Sequence, residues 1–291
     1  MAVGETTSGV LSAALPEIVA DARIVHEDEG TWRRTCDIKR QTPNTGLNWS
    51  EFALDQLARQ DITETTDNRN FQQLSGTLLS VEPQMTQILI KMTDRMARKI
   101  ASVVKDKFGS LAGNAMARGD DEDYIAMFAS FGTGTSPGSG NPLSFGHISA
   151  AVNRIKSNTT ETSDAAVFAV LHGFQIKDIQ DEVLAGVGTY TIPTGLTEAV
   201  FRKGFEGTVA GANVYKDSNI GVVSSNARGA VHSREGVVAA IGMEIKKETD
   251  RDMYFGGGAD VISLTNEHAF VERSAGNWAY TILSDATAPT S

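Results

Sequence analysis

The chain has 291 residues, 26 lysines plus arginines against 36 aspartates plus glutamates, and one cysteine. The net charge of −10 argues against a sequence-specific nucleic-acid reader, which carries a basic surplus. The lone Cys36 excludes an intrachain disulfide framework and a cysteine-cluster zinc site.

The length suits one large or two modest domains with an ample core. No apolar run approaches the roughly 18 residues that span a bilayer, and the opening MAVGETTSG lacks the basic region of a signal peptide. The expectation is a soluble protein made in the cell interior, with no membrane anchor.

Residues 1–30 are acidic. Glu5, Glu17, Asp21, Glu27, Asp28 and Glu29 stand against Arg23 alone. The stretch reads as an extended arm with a short helix over about Ser8 to Arg23, or as a frayed terminus. From Thr31 to Thr42, Trp32, Thr35, Ile38 and Thr42 among charges predict a strand. Pro43, Asn44, Thr45 and Gly46 are turn chemistry, and Leu47, Trp49, Phe52 and Leu54 predict a second strand. Asp61 to Asn70 is a polar loop. Together they form a long β excursion too polar and thin to hold itself, so a partner is expected to cover it. Leu74 to Met92 reads as two strands joined near Pro83.

Met96, Ile100, Val103, Val104, Phe108, Leu111 and Ala115 recur at helical spacing and predict a long helix over 93–117. Thr93 would be its N-cap and Gly119 its stop. From Lys91 to Lys107 its outer face carries Lys91, Arg95, Arg98, Lys99, Lys105 and Lys107 against Asp94 and Asp106. Asp120 to Asp123 would then open a second helix running to Phe131, because acids in a first turn complement the helix dipole. A Gly/Ser/Pro loop, a helix over about 144–157, a buried strand over 165–171 and a helix over 175–184 follow. The last third reads as β: short strands near 207–216, 229–241, 260–264 and 279–283, interrupted by a helix near 196–203. The fold class is α+β.

The candidate chemistry is thin. Gly134-Thr135-Ser136-Pro137-Gly138 matches a hydrolase nucleophile elbow, but Pro137 lacks the N–H that would stabilise an oxyanion. Arg118-Gly119-Asp120 is read as the end of one helix and the cap of the next. The acids 120–123 lack the spacing of a calcium loop, and the five histidines form no metal pair. Gly256 to Gly258 is read as a turn without a phosphate site. No enzyme activity, cofactor or metal is expected.

The order of elements resembles the major capsid proteins of tailed bacteriophages, with their Hong Kong 97-type fold, and the marine-phage branch in particular. Residues 90–98 look like that family's strand-to-helix junction. Residues 114–123 with 126–131 look like the end of its long helix and the successor. Residues 143–155 and 167–179 look like the next helix and strand, and 207–215 like a late strand pair. The joint order carries the resemblance, over about residues 30–285.

The resemblance implies an N-terminal arm over 1–30 and an extended loop over 31–84. It implies a peripheral domain over 85–159 and 231–291, with the long helix as spine, and an axial domain over 160–230. The implied function is a coat protein that assembles with itself, as hexamers and pentamers, into an icosahedral virion shell around double-stranded DNA. The DNA contact would be non-specific, and scaffolding, portal and decoration proteins would be separate partners. Assembly would take place in the host cytoplasm. Arg40, Pro43, Asn44, Gly46 and Trp49 are the expected inter-subunit contacts. The acidic Glu27, Asp28 and Glu29 are expected to lie against the spine face of Arg95, Arg98, Lys99 and Lys105. The alternative is an encapsulin-like nanocompartment shell, and more remotely a serine hydrolase on Ser136.

Overall fold

The computed structural model describes residues 30–42, 46–64, 69, 71–99, 102–158, 162–186, 207–254 and 257–290, with the backbone alone at 102–107 and 183–186. The expected arm helix and the helix near 196–203 lie outside the described residues.

The chain enters through α1 (Trp32–Thr35) and β1 (Asp37–Arg40). The expected single strand over 31–42 is therefore a helical turn followed by a strand. Trp32 and Cys36 are buried, and the Trp32 ring meets Phe270 edge-on at 5.4 Å. This apolar seat pulls the segment into the body, and Cys36 is a core residue rather than a loop residue. An antiparallel ribbon follows, β2 (Trp49–Leu54) with β3 (Gly76–Val81), and then β4 (Gln84–Thr93). The two strands flanking Pro83 are as expected.

Thr93 Oγ1 accepts from the N–H of Met96 at 3.3 Å, the expected cap of α2 (Asp94–Lys99). Then α3 runs unbroken over Ser102–Ala126. Two expectations fail here. Gly119 does not stop the helix, and Asp120 to Asp123 do not open a new one. The acids sit in the last two turns, where the helix dipole disfavours them. Tertiary partners offset that. Asn266 donates to Asp120 at 2.7 Å, and Thr31 and Asn219 donate to Asp121. The His268 ring lies 3.1 Å from Asp123 and 3.6 Å from Asp120. Burial, opposed by the Asn266 bond, raises the Asp120 pKa.

The remaining elements are α4 (Phe145–Lys156), β5 (Val167–Leu171), α5 (Gly173–Gly186), β6 (Thr208–Val209), β7 (Ala212–Lys216), β8 (Val222–Val223), β9 (Asn226–Ser233), β10 (Val237–Asp252), β11 (Ala259–Glu272) and β12 (Ala279–Asp285). They build two sheets. One is ordered β1-β10-β11-β4, with β1 parallel to β10 and the rest antiparallel. The other is ordered β12-β9-β5-β7-β6, with β8 on β9.

In the first sheet, Ala112 and Met116 of α3 pack on Leu264, Ile88, Ile90 and Ile262. In the second, β5 is buried along its whole length under Ile148, Val152 and Ile155 of α4 and Ile179 of α5. Between the sheets lies an aromatic seam of Trp32, Tyr124, Phe128, Phe131 and Phe270. Each such ring contributes about 1.5–3 kcal/mol by leaving water. No described helix is long and apolar enough to cross a membrane.

Candidate inter-subunit surface

The ribbon β2–β3 is a closed register of six pairs, from Trp49 opposite Val81 to Leu54 opposite Gly76. Side chains alternate between its faces. Trp49, Glu51, Leu79 and Val81 share one face and are half-buried. Phe52, Leu54 and Leu78 share the other and are 58%, 66% and 63% exposed. Phe52 stands directly opposite Leu78. Its ring lies over Gly76, where a Cβ would come within 2.6 Å of the ring. Beyond the strands, Leu57, Ile62, Leu74 and Phe71 are also exposed, Phe71 at 91%. A two-stranded ribbon is marginal alone, and so many exposed large apolar side chains on one ribbon make it the candidate surface for contact with another protein.

The ribbon's base is fastened by Arg273, at the end of β11. Its guanidinium donates to Glu51 of the ribbon at 2.9 and 3.2 Å, to Asp37 of β1 at 2.9 Å and to the Glu235 carbonyl at 2.7 Å. Burial works against charge on Arg273, but the bonds to Asp37 and Glu51 outweigh it and raise its pKa. Burial likewise works against the Asp37 carboxylate, and the bonds from Arg273 and Lys39 outweigh it and lower that pKa. Sequence reasoning missed Arg273. It lies 222 residues from Glu51, and nothing local marks it.

Of the expected contact residues, Arg40 pairs with Glu244 at 3.0 Å, on the body beside the ribbon. Gly46 has φ +109, and its carbonyl accepts from Gln41 at 2.6 Å. Trp49 begins the ribbon. Pro43 and Asn44 lie outside the described residues. On the spine, Arg95, Arg98 and Lys99 are exposed on α2, and the Lys105 side chain lies outside the description. Lys91 belongs to β4 instead, bonded to Asp252 at 2.6 Å. Glu27, Asp28 and Glu29 lie outside the described residues, so their pairing with the spine has no geometry.

Ser136 is occupied. Its hydroxyl donates to the Leu283 carbonyl at 2.9 Å and accepts from the Leu283 N–H at 2.8 Å. Around it, residues 132–141 run along the edge of β12, with Gly132, Gly138 and Asn141 bonding its backbone. The loop shields a sheet edge, which accounts for its composition without a nucleophile.

No family model matches the sequence, and no curated protein matches it. Solved structures do. A chain of Mycobacterium phage Che8 superposes with a TM-score of 0.72 at 13% identity, over 92% of this chain and 96% of that one. The capsid of cyanophage P-SCSP1u gives 0.71 at 12%, over 97% and 96%. The acidic stable capsid of Helicobacter pylori bacteriophage KHP30 gives 0.71 at 10%, over 93% and 95%. The chain has a phage capsid fold. Identities this low carry the fold and little else. The expectation of a capsid architecture stands, and the likeness does not favour the nanocompartment or the hydrolase.

Proposed function

We propose that the chain is the major capsid protein of a tailed bacteriophage, with a structural and non-enzymatic role. It assembles with itself as hexamers and pentamers into an icosahedral shell that encloses double-stranded DNA. The observation that carries this reading is the capsid likeness over nearly the whole of both chains, joined to an apolar ribbon that projects from the body.

In this reading the domains are those of the Hong Kong 97 type. Residues 1–30 are the arm, 31–84 the extended loop, 85–159 and 231–291 the peripheral domain, and 160–230 the axial domain. The projecting part of the loop is the ribbon, and the segment before it, seated by Trp32, fixes where it leaves the body. Phe52, Leu54 and Leu78 bury against a neighbouring subunit, and the expected contacts Arg40, Pro43, Asn44, Gly46 and Trp49 belong to the same stretch of chain. Interfaces repeated around each subunit add by avidity.

The experiment is the double substitution Phe52→Asp, Leu78→Asp. Both side chains are solvent-exposed, so the thermal midpoint of the unassembled chain should stay within a few degrees of wild type. Assembly, followed by sedimentation, should be lost. A variant that assembles normally removes the ribbon from the interface.

A further inference from the structure

Asp121 of α3 and Asp217, just past β7, are both fully buried, and the same two residues hydrogen-bond both carboxyls. Among the described residues their hydrogen-bond donors are Thr31 and Asn219. Thr31 donates its N–H to Asp121 Oδ1 and its hydroxyl to Asp217 Oδ2, both at 3.0 Å. Asn219 donates its N–H to Asp217 Oδ1 and its side-chain amide to Asp121 Oδ2, both at 2.9 Å. All four donors are neutral. Gly30 rests on the pair at φ +76, where a Cβ would lie 2.1 Å from Asp121 Cγ. The backbone at which residues 1–29 join the described fold is thus pressed onto a buried acid.

Among the described residues no ion pair joins a cation to either carboxyl: Arg33 of α1 pairs with Glu244 instead, and the Lys216 side chain lies along Gly173. Cys36, behind α1, and Tyr124, one turn along α3, are both raised by burial and stay neutral. His232 of β9 lies behind Tyr124, 2.6 Å from its hydroxyl, and burial lowers it to about 4, so it too is neutral. Asp37, the next residue after Cys36, is a carboxylate already held by Arg273. Two adjacent carboxyls in such a site do not both ionise readily, because each charge opposes the other and neither is hydrated.

We propose that Asp217, set beside Asp121, holds a proton and makes a pH-sensitive clasp, fastening Gly30 and Thr31 to α3 and to the second sheet and loosening as the pH rises. Burial first, and then the neighbouring Asp121 charge, push Asp217 up to about 7. A folded-state value above the ordinary carboxylate value of about 3.9 gives stabilisation that is full below that value and is lost as the pH rises through about 7. The clasp stands whether or not the chain assembles.

The test is hydrogen exchange of the full, unassembled chain, with wild type and Asp217→Asn compared at each pH so that intrinsic exchange cancels. In peptides covering 30–36 and 212–222, the wild-type rate relative to the variant should climb by up to about tenfold per pH unit from pH 5 toward 7, and level off above. Asp121→Asn should give the same relation. A ratio that does not change from pH 5 to 9 overturns the proposal. A second measurement needs no variant. Infrared spectra of the wild type should show a protonated carboxyl band at pH 5.5 that disappears by pH 8.5, and its absence at pH 5.5 also overturns the proposal.

Discussion

Arg273 shows how one residue can set the aim of a whole projection. It holds Glu51 on the ribbon and Asp37 on the body with one planar fork, a geometry lysine does not reproduce. Arg273→Ala leaves two part-buried carboxylates facing each other. Because Glu51 is 37% exposed, the loss is smaller than for a sealed pair, about 1–3 kcal/mol by chemical denaturation. The Asp37 pKa is lowered, so its contribution is present above about pH 4 and is lost as the pH falls through its folded value. Wild type should therefore show a steeper loss of stability below pH 4 than Arg273→Ala. Equal slopes would remove the Arg273–Asp37 bond from the account. None of this was legible in the sequence, because the partners come from three separate elements. Ser136 was legible in part: Pro137 already spoke against a nucleophile, and the bonds to Leu283 give the residue its structural use.

At the scale of elements, the sequence was most readable where the periodicity was long and the partner local. The helical segments that carry Met96 and Ala115, the buried strand at Val167–Leu171 and the strands around Pro83 lie where their patterns place them. The errors fall where tertiary contacts override local signals. Gly119 and the acids after it read as punctuation because Asn266, His268, Thr31 and Asn219 are remote in sequence. Likewise β10 and β11 run for 16 and 14 residues, well past the expected ends, because their far halves are polar and partly exposed. The continuity of α3 has its own test. A Cβ at Gly119 meets nothing within 4 Å. Gly119→Ala should therefore raise stability by about 0.5–1 kcal/mol, as in any helix interior. If residue 119 were instead a left-handed helix stop, the same change would lower stability.

For the whole molecule, the charge of −10 gains a distribution. Acid is concentrated in residues 1–30 and base on the exposed face of Arg95, Arg98 and Lys99. Exposed pairs are individually worth about 0–1 kcal/mol, so only a network across subunits would matter. Replacing Glu27, Asp28 and Glu29 by glutamine should weaken assembly and flatten its salt dependence, read by light scattering between low and high salt. No change in either would leave the basic face to another partner. The capsid resemblance was legible as an order of elements before any geometry, because the order of a strand, a long helix and two late β regions survives divergence that erases individual motifs. The surface that would join subunits was only half legible: the polar excursion stood out, but the apolar stripe of Phe52, Leu54 and Leu78 needed the register of the ribbon. The central claim is that this chain builds a closed shell from copies of itself. Negative-stain electron microscopy of the purified wild-type chain beside Phe52→Asp, Leu78→Asp tests it most directly. The expected result is closed particles or ring-shaped capsomers from the wild type and single subunits from the variant; single subunits from both would contradict the claim.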